Sequence, residues 1–563
     1  MKKKNIVKTL AAALSFAICL TGCSGGTSSS SGSSAGSSDG SSASSTPDSS
    51  ASSDVSSSSA DTTLKWALDS DIVSLDPIYA YDTTTNLVVV QIVESLLYIN
   101  TDGSVSPMLA SDWKCVDDKT YVYQIRDDVT FSDGTPMTVE DVIFSMERNM
   151  GSESDSYVAW MFDSVDSIEK TGEWEITVHL KNPDAFWQYV PATTGGAVIS
   201  KAYYEEHKDN YGTASGGVLA TGAYKFDHWT NGSEIVLTAN ENYWDKSSPC
   251  DFKTIDYTII TEDTTRIAAL KTGQTDLSVN VSVDMIGQLS DAQNLDINSV
   301  HAYRIDHLAF NTEKAPFNDK NVRKAICYAI DAENLVNSIY GEYGTPGSGL
   351  LFGDALYTIG SPEDWEEFAA TLDNYSYNIE KAKECLAASA YPDGFDCRLA
   401  VSNISYYQSM AVYIQSALSA IGINVSIEQH TYDEMITIQF GNLLDENGVK
   451  DYDMGLFDWQ ADFPDPAGNV RPILISSNAG AGGSNTSSFR NDAVDELFTK
   501  ENNSVDENER VELIKEYSEL ILDEVPIYVL SFSNQSFAVN KRMKVDLGPL
   551  YFWDLTAKDF TLA

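Results

Sequence analysis

The chain has 563 residues and a formal charge of −47, from 83 acidic and 36 basic side chains. A surface of that sign repels phosphate backbones and excludes nucleic acid as a partner. Hydrophobic residues make up 42% of the chain, enough for buried cores, and its length allows roughly three domains at about 150 residues each.

Lys2, Lys3, Lys4 and Lys8 precede an apolar run over residues 10–20. That run is too short to span a bilayer as a helix and is patterned as a signal peptide of residues 1–22. It ends in Leu20, Thr21, Gly22 and Cys23, a quartet that resembles a bacterial lipobox, which implies a lipid on Cys23. Residues 24–60 are more than half serine and cannot bury a core, so they read as a disordered tether with a reach of about 33 Å. Stable attachment needs more than one acyl chain. The lipobox resemblance implies multiple acylation, with the membrane touched through the N-terminal lipid only.

No second linker, repeat or long apolar run interrupts residues 61–563. In TYVYQIR, Tyr121, Tyr123 and Ile125 alternate as on a half-buried strand. Thr138 opens TVED, a capping-box pattern, before Val139, Val142, Ile143 and Met146 on one helix face. In NDKNVRKAICYAID the stripe Val322, Ala325, Ile326, Ala329 and Ile330 predicts another helix, capped by Asn318 or Asp319. A helix over residues 379–388, a strand FDCRLAV, a helix over about 408–420 stopped by Gly422 and a strand INVSI form a βαβ unit with parallel pairing. The class is therefore α/β.

Removal of the leader and lipidation of Cys23 leave Cys115, Cys250, Cys327, Cys385 and Cys397. Their number is odd and their spacing fits no zinc site; most read as small buried hydrophobes, with a Cys385–Cys397 bridge left open. HExxH, GxSxG and Walker A patterns are absent. The six histidines lack metal-ligand spacing. Neither a catalytic residue, nor a metal, nor a cofactor is therefore expected. The distinctive feature is aromatic: 29 Tyr and 10 Trp, clustered at Tyr79 and Tyr81, at Tyr406 and Tyr407 in a loop before a helix, and at Trp459 and Phe463. The last pair lies in DWQADFPDP, residues 458–466.

Several segments occur in one order: LDP (75–77), ESL (94–96), LASDW (109–113), YVYQIRDDVTFSDGTPMTVEDVIFS (121–145), ATGAYKF (220–226), NENYWD (240–245), FNTEKAPFNDKNVRKAICYAID (310–331), YPDGF (391–395), LSAIGI (418–423) and DWQADFPDP. Together they resemble the extracellular solute-binding proteins of oligopeptide and dipeptide ABC importers, family five. The usual GTGPY of that family is ATGAY here, with Ala223 in place of proline.

The resemblance implies a two-lobed, Venus-flytrap fold of the periplasmic-binding-protein type. Residues 61–105, 236–308 and 537–563 would form lobe I, residues 106–235 a subdomain inserted in it, and residues 309–536 lobe II. Hinge crossings would fall near 308–311 and 533–537. It further implies a non-enzymatic, monomeric receptor on the outer face of a Gram-positive cell, serving a permease and its ATPase subunits. In relatives that carry peptides, the acid of the WxAD pattern binds the ligand ammonium, and it maps onto Asp462. A carboxylate and backbone hydrogen bonds can hold many peptide sequences through their shared features. Pro464 and Pro466 restrict the chain beside Asp462. Trp459 would wall the site, with Tyr79, Tyr406 and Tyr407 as further ligand-binding candidates. The same fold carries oligosaccharides, nickel complexes, haem or opines in other relatives, and a peptide-pheromone sensor is a further alternative.

Overall fold

Thr138 closes the expected capping box: its hydroxyl accepts from the Asp141 N–H at 3.2 Å, and the Asp141 carboxylate accepts from the Thr138 N–H at 2.9 Å. The helix it starts, Val139–Glu147, buries Val139, Val142 and Met146. Helix Lys320–Ala329 is capped by Asp319 and buries the expected apolar stripe. These elements come from a computed structural model that describes residues 62–563 apart from 152, 153, 249, 441–443, 446, 447, 546 and 548–554. The chain divides into Met1–Ala60 and a compact unit Asp61–Ala563. The signal peptide, Cys23 and the serine-rich segment lie outside the described residues. No helix among the described residues is long and apolar enough to cross a membrane.

The βαβ reading holds. Strands Phe395–Ser402 and Ile423–His430 pair in parallel, with helix Ser405–Ser419 between them. That helix starts three residues earlier than its sequence pattern suggests, so Tyr406 and Tyr407 occupy its first turn rather than a preceding loop. Tertiary packing explains the shift: Tyr407 is buried and its hydroxyl donates to Asp306 at 2.7 Å. Among the described residues Cys115, Cys250, Cys327, Cys385 and Cys397 are free thiols, so Cys385 and Cys397 form no bridge.

One large sheet runs through the unit in the order Ile423–His430, Phe395–Ser402, Met454–Gln460, Leu295–Phe310, Ile527–Asn540, Leu277–Ser278, Thr63–Leu68, Thr254–Ile259, Glu234–Ala239 and Tyr224–Thr230. Its two long central strands, Leu295–Phe310 and Ile527–Asn540, are antiparallel. Two apolar cores flank them. One gathers Trp66, Tyr257 and Phe537, the other Phe310, Leu399 and Leu530.

The central pairing is interrupted between His301 and Ile305, opposite Phe532 and Asn534. A second shift falls between Asp306 and His307, after which Leu308 and Ala309 pair with Tyr528 and Ile527. A separate antiparallel sheet of four strands, Ala110–Asp117, Thr120–Ile125, Glu175–Leu180 and Val165–Gly172, lies outside the large one. A third core joins it to the second half of the chain, holding Tyr123 and Phe186 together with Phe463 and Ile514.

Candidate functional site

Strand Met454–Gln460 carries DWQADFPDP out of the large sheet. Asp458 stands opposite Asp306, and Trp459 opposite Ile305. After Gln460 the chain leaves the ladder, although the Ala461 N–H still donates to the Tyr303 carbonyl at 2.8 Å. Asp465 then caps the next helix, Pro466–Leu474, by accepting from the Ala467 N–H at 3.0 Å. Pro466 takes a first-turn position, where its missing N–H costs nothing. Asp462 is thus fixed between a strand end and a helix start.

The two acids of this turn have different surroundings. The Asp465 carboxylate lies 2.8 Å from Arg510, whose guanidinium also meets Glu501. Asp462 is 5% exposed, and its carboxylate accepts one hydrogen bond, from the Tyr81 hydroxyl at 2.6 Å. Among the described residues it has no cationic partner. Burial raises its pKa to about 7, with the Tyr81 hydrogen bond acting in the opposite direction.

Asp462 lines a cavity of about 690 Å³. One wall comes from Tyr81, Trp160 and Phe186, the other from Phe440, Trp459 and Phe463. Phe463 reaches across: its ring stacks on Phe186 at 5.2 Å and Tyr189 at 5.9 Å and meets Trp160 edge-on at 5.9 Å. Trp459 contributes an indole N–H that is buried and has no acceptor among the described residues. The volume and mixed lining fit a small-molecule or short-chain ligand site. Among the described residues no group of three His, Cys, Asp or Glu is placed to hold a metal ion.

Of the candidates read from sequence, Asp462 and Trp459 come together in this cavity. Tyr79 lies beside it, donating to Asp155 at 2.5 Å and packing edge-on against Tyr157, which does line it. Tyr406 and Tyr407 are elsewhere. The hydroxyl of each accepts from the Arg304 guanidinium at 3.2 Å, and together with Tyr340 and Ser531 they surround the buried Asp306 where the long strands lose register. Sequence reasoning passed over Trp160, Phe186, Phe440 and Arg471. Tyr81, noticed beside Tyr79 but not assigned to the site, is the residue that meets the carboxylate.

A sheet continuous through two cores, with a ligand-sized cavity walled from both parts of the chain, defines the class of two-lobed solute-binding proteins. The model for bacterial extracellular solute-binding proteins, family 5, middle region, matches residues 104–481, and the chain belongs to that family. It is similar to the probable D,D-dipeptide-binding periplasmic protein DdpA of Escherichia coli (strain K12), 27% identical over 484 residues that cover 84% of this chain and 89% of the relative. Its fold matches the periplasmic binding protein DppA of Helicobacter pylori in complex with the peptide STSA. The TM-score is 0.74 at 23% identity, over 89% of this chain and 98% of the other. It also matches AgaA of A. tumefaciens R10 in complex with agropinic acid, with a TM-score of 0.72 at 25% identity, over 89% and 99% of the two chains.

Proposed function

We propose that this protein is the lipid-anchored receptor of an ABC importer, capturing oligopeptides between its lobes and handing them to the permease and its ATPase subunits. One observation carries the reading: a buried carboxylate, Asp462, faces the cavity without a cation of its own among the described residues. A peptide ammonium would supply that cation, and taking it up would return the carboxylate to its ionised form. The indole N–H of Trp459 offers a donor to a backbone carbonyl. The aromatic walls accept varied side chains without a fixed pattern of polar contacts. Nothing in this arrangement requires bond breaking, and the protein acts as a carrier rather than an enzyme.

Attachment is proposed through lipid on Cys23, with residues 24–60 as the tether and the binding unit, a monomer, outside the membrane. The lobe assignment follows the same reading, with the break between His301 and Ile305 as part of the hinge. Closure around a ligand is then a hinge motion, favoured by the ligand's contacts with both walls. A second reading keeps the fold and replaces the peptide with another solute. It is supported by the likeness to AgaA, whose structure holds agropinic acid.

Native mass spectrometry of the gently purified protein tests the choice. Extra mass that is released on denaturation and fragments into amino-acid residue masses supports peptide capture. A single non-peptide mass supports the second reading and removes the first.

A further inference from the structure

A second cavity, of about 470 Å³, adjoins the one that holds Asp462. Asp184 stands in the wall of both, and beside it the Ala185 N–H donates at 2.9 Å to the carbonyl of Asn502, a residue of the first cavity's wall. Residues 102–121 and 184–189 form one side of the second cavity, and residues 358–359 and 504–510 the other. The sides meet at Gly103, where a Cβ would stand 2.6 Å from Cγ2 of Thr358. The groove therefore exists only while these two parts of the chain are together.

Its lining is aromatic and acidic. Trp113 lies nearly parallel to Tyr121, with ring centroids 6.5 Å apart, and both line the groove. Tyr189 joins them. It is 4% exposed, its ring stacks on Phe463, and its hydroxyl has no hydrogen-bond partner among the described residues. A buried hydroxyl left in that state carries a desolvation cost that a guest would relieve. Three carboxylates complete the set, Asp102, Asp184 and Glu507. They accept from Ser104, Phe186 and Gly360 respectively, and among the described residues none has a cationic partner. Arg510, the basic residue of the lining, is already held by Asp465 and Glu501.

Aromatic rings and carboxylates attract the same class of guest. We infer that this groove is a second binding site, for an organic ammonium ion. Trp113 and Tyr121 meet its alkyl chain, the Tyr189 hydroxyl accepts an N–H, and the three carboxylates favour an ion with more than one charge. The ammonium has two sources, a free amine or the basic side chain of a captured peptide that runs past Ala185. A free amine binds the same joined arrangement that a ligand of the first cavity favours, so each tightens the other by the same factor. The site itself is independent of the peptide reading; the coupling rests on that reading.

Spermidine is the probe, titrated calorimetrically into the purified protein stripped of ligand. The expected result is one-to-one binding, weakened at least about tenfold in Asp102→Asn/Glu507→Gln and about threefold in Tyr189→Phe. Glu205→Gln/Glu206→Gln removes the same charge from an exposed helix and leaves the affinity unchanged. Bound spermidine also slows alkylation of Cys115, the exposed thiol of the groove, whereas magnesium at equal charge does not. No binding, an equal loss in both double variants, or protection by magnesium overturns the inference, the last two reducing it to attraction by an acidic surface. Saturating spermidine that raises the affinity for a captured peptide assigns the groove to a free amine. Displacement confined to lysine-containing peptides assigns it to the ligand's side chain instead. Displacement of every peptide places spermidine in the first cavity and overturns the second site. Capture of no peptide removes the peptide reading, while the spermidine titration still decides the groove.

Discussion

The cluster of Asp465, Glu501 and Arg510 and the cavity that holds Asp462 both bury carboxylates, held against a guanidinium in the first and, among the described residues, against no cation in the second. In the cluster, Arg510 lies 2.8 Å from Asp465 and 2.5 Å from Glu501, all of them buried. In the cavity, Asp462 accepts a single hydrogen bond among the described residues, from the Tyr81 hydroxyl. Asp462 and Asp465 are three residues apart in one motif. Burial is common to both carboxylates, so it does not distinguish a structural acid from a binding one. The distinguishing property is whether the protein itself supplies the counter-charge.

The largest effect is expected at Arg510. Arg510→Met should leave two buried acids without their cation and cost about 3–5 kcal/mol of stability, read from urea unfolding. A loss no larger than that of a surface substitution would mean that the cluster does not hold the fold. Asp462→Asn should do the reverse. Because the folded protein already disfavours this charge, the variant should unfold no more easily than the parent at pH 7. Peptide binding should nevertheless weaken by about 2–5 kcal/mol in calorimetry, the range for truncating one partner of a buried charge pair.

Proton linkage sharpens the contrast. The Asp462 pKa is raised to about 7 in the folded, ligand-free protein, whereas an unfolded Asp titrates near 4. Between those values the folded state holds the extra proton. This group therefore favours folding at the acid end and withdraws that support as pH rises toward 7. Ligand affinity moves the other way: the ammonium needs the ionised carboxylate, so affinity should fall by up to about tenfold per pH unit below pH 7. Asp462→Asn should flatten both profiles, and a binding profile in the parent protein that is already flat from pH 5 to 8 would remove the carboxylate from the site. The smallest effect belongs to Tyr81→Phe. It deletes the one hydrogen bond to Asp462 and should cost about 0.5–1.5 kcal/mol of binding at pH 7.

Local patterns carried much of the fold. Thr138 and Asp141, the stripe from Val322 to Ala329, and the βαβ unit over residues 395–430 all express short-range rules of capping, periodicity and pairing. Asp462 and Trp459 were legible through the motif that contains them, and the structure brings both to one cavity. What escaped was long-range. Tyr406 and Tyr407 resembled a loop pair, but Arg304 and Asp306, about a hundred positions away, draw them into a buried network. Nothing adjacent to Tyr81 reveals that Asp462 lies beside it, 381 positions further along the chain. Arg471 had one signal, an arginine nine residues after the motif acid in a chain poor in basic residues. Its place in the cavity wall beside Phe186 and Asn502 is visible only in three dimensions.

In the proposed complex Asp462 meets a peptide ammonium. Calorimetry at pH 8 with one captured peptide and its N-acetylated form, on the parent protein and on Asp462→Asn, tests it most directly. Acetylation should weaken binding to the parent by at least about thirtyfold, within the range for losing a buried charge partner, and make little difference to the variant. Equal affinity of the parent for both forms would contradict it.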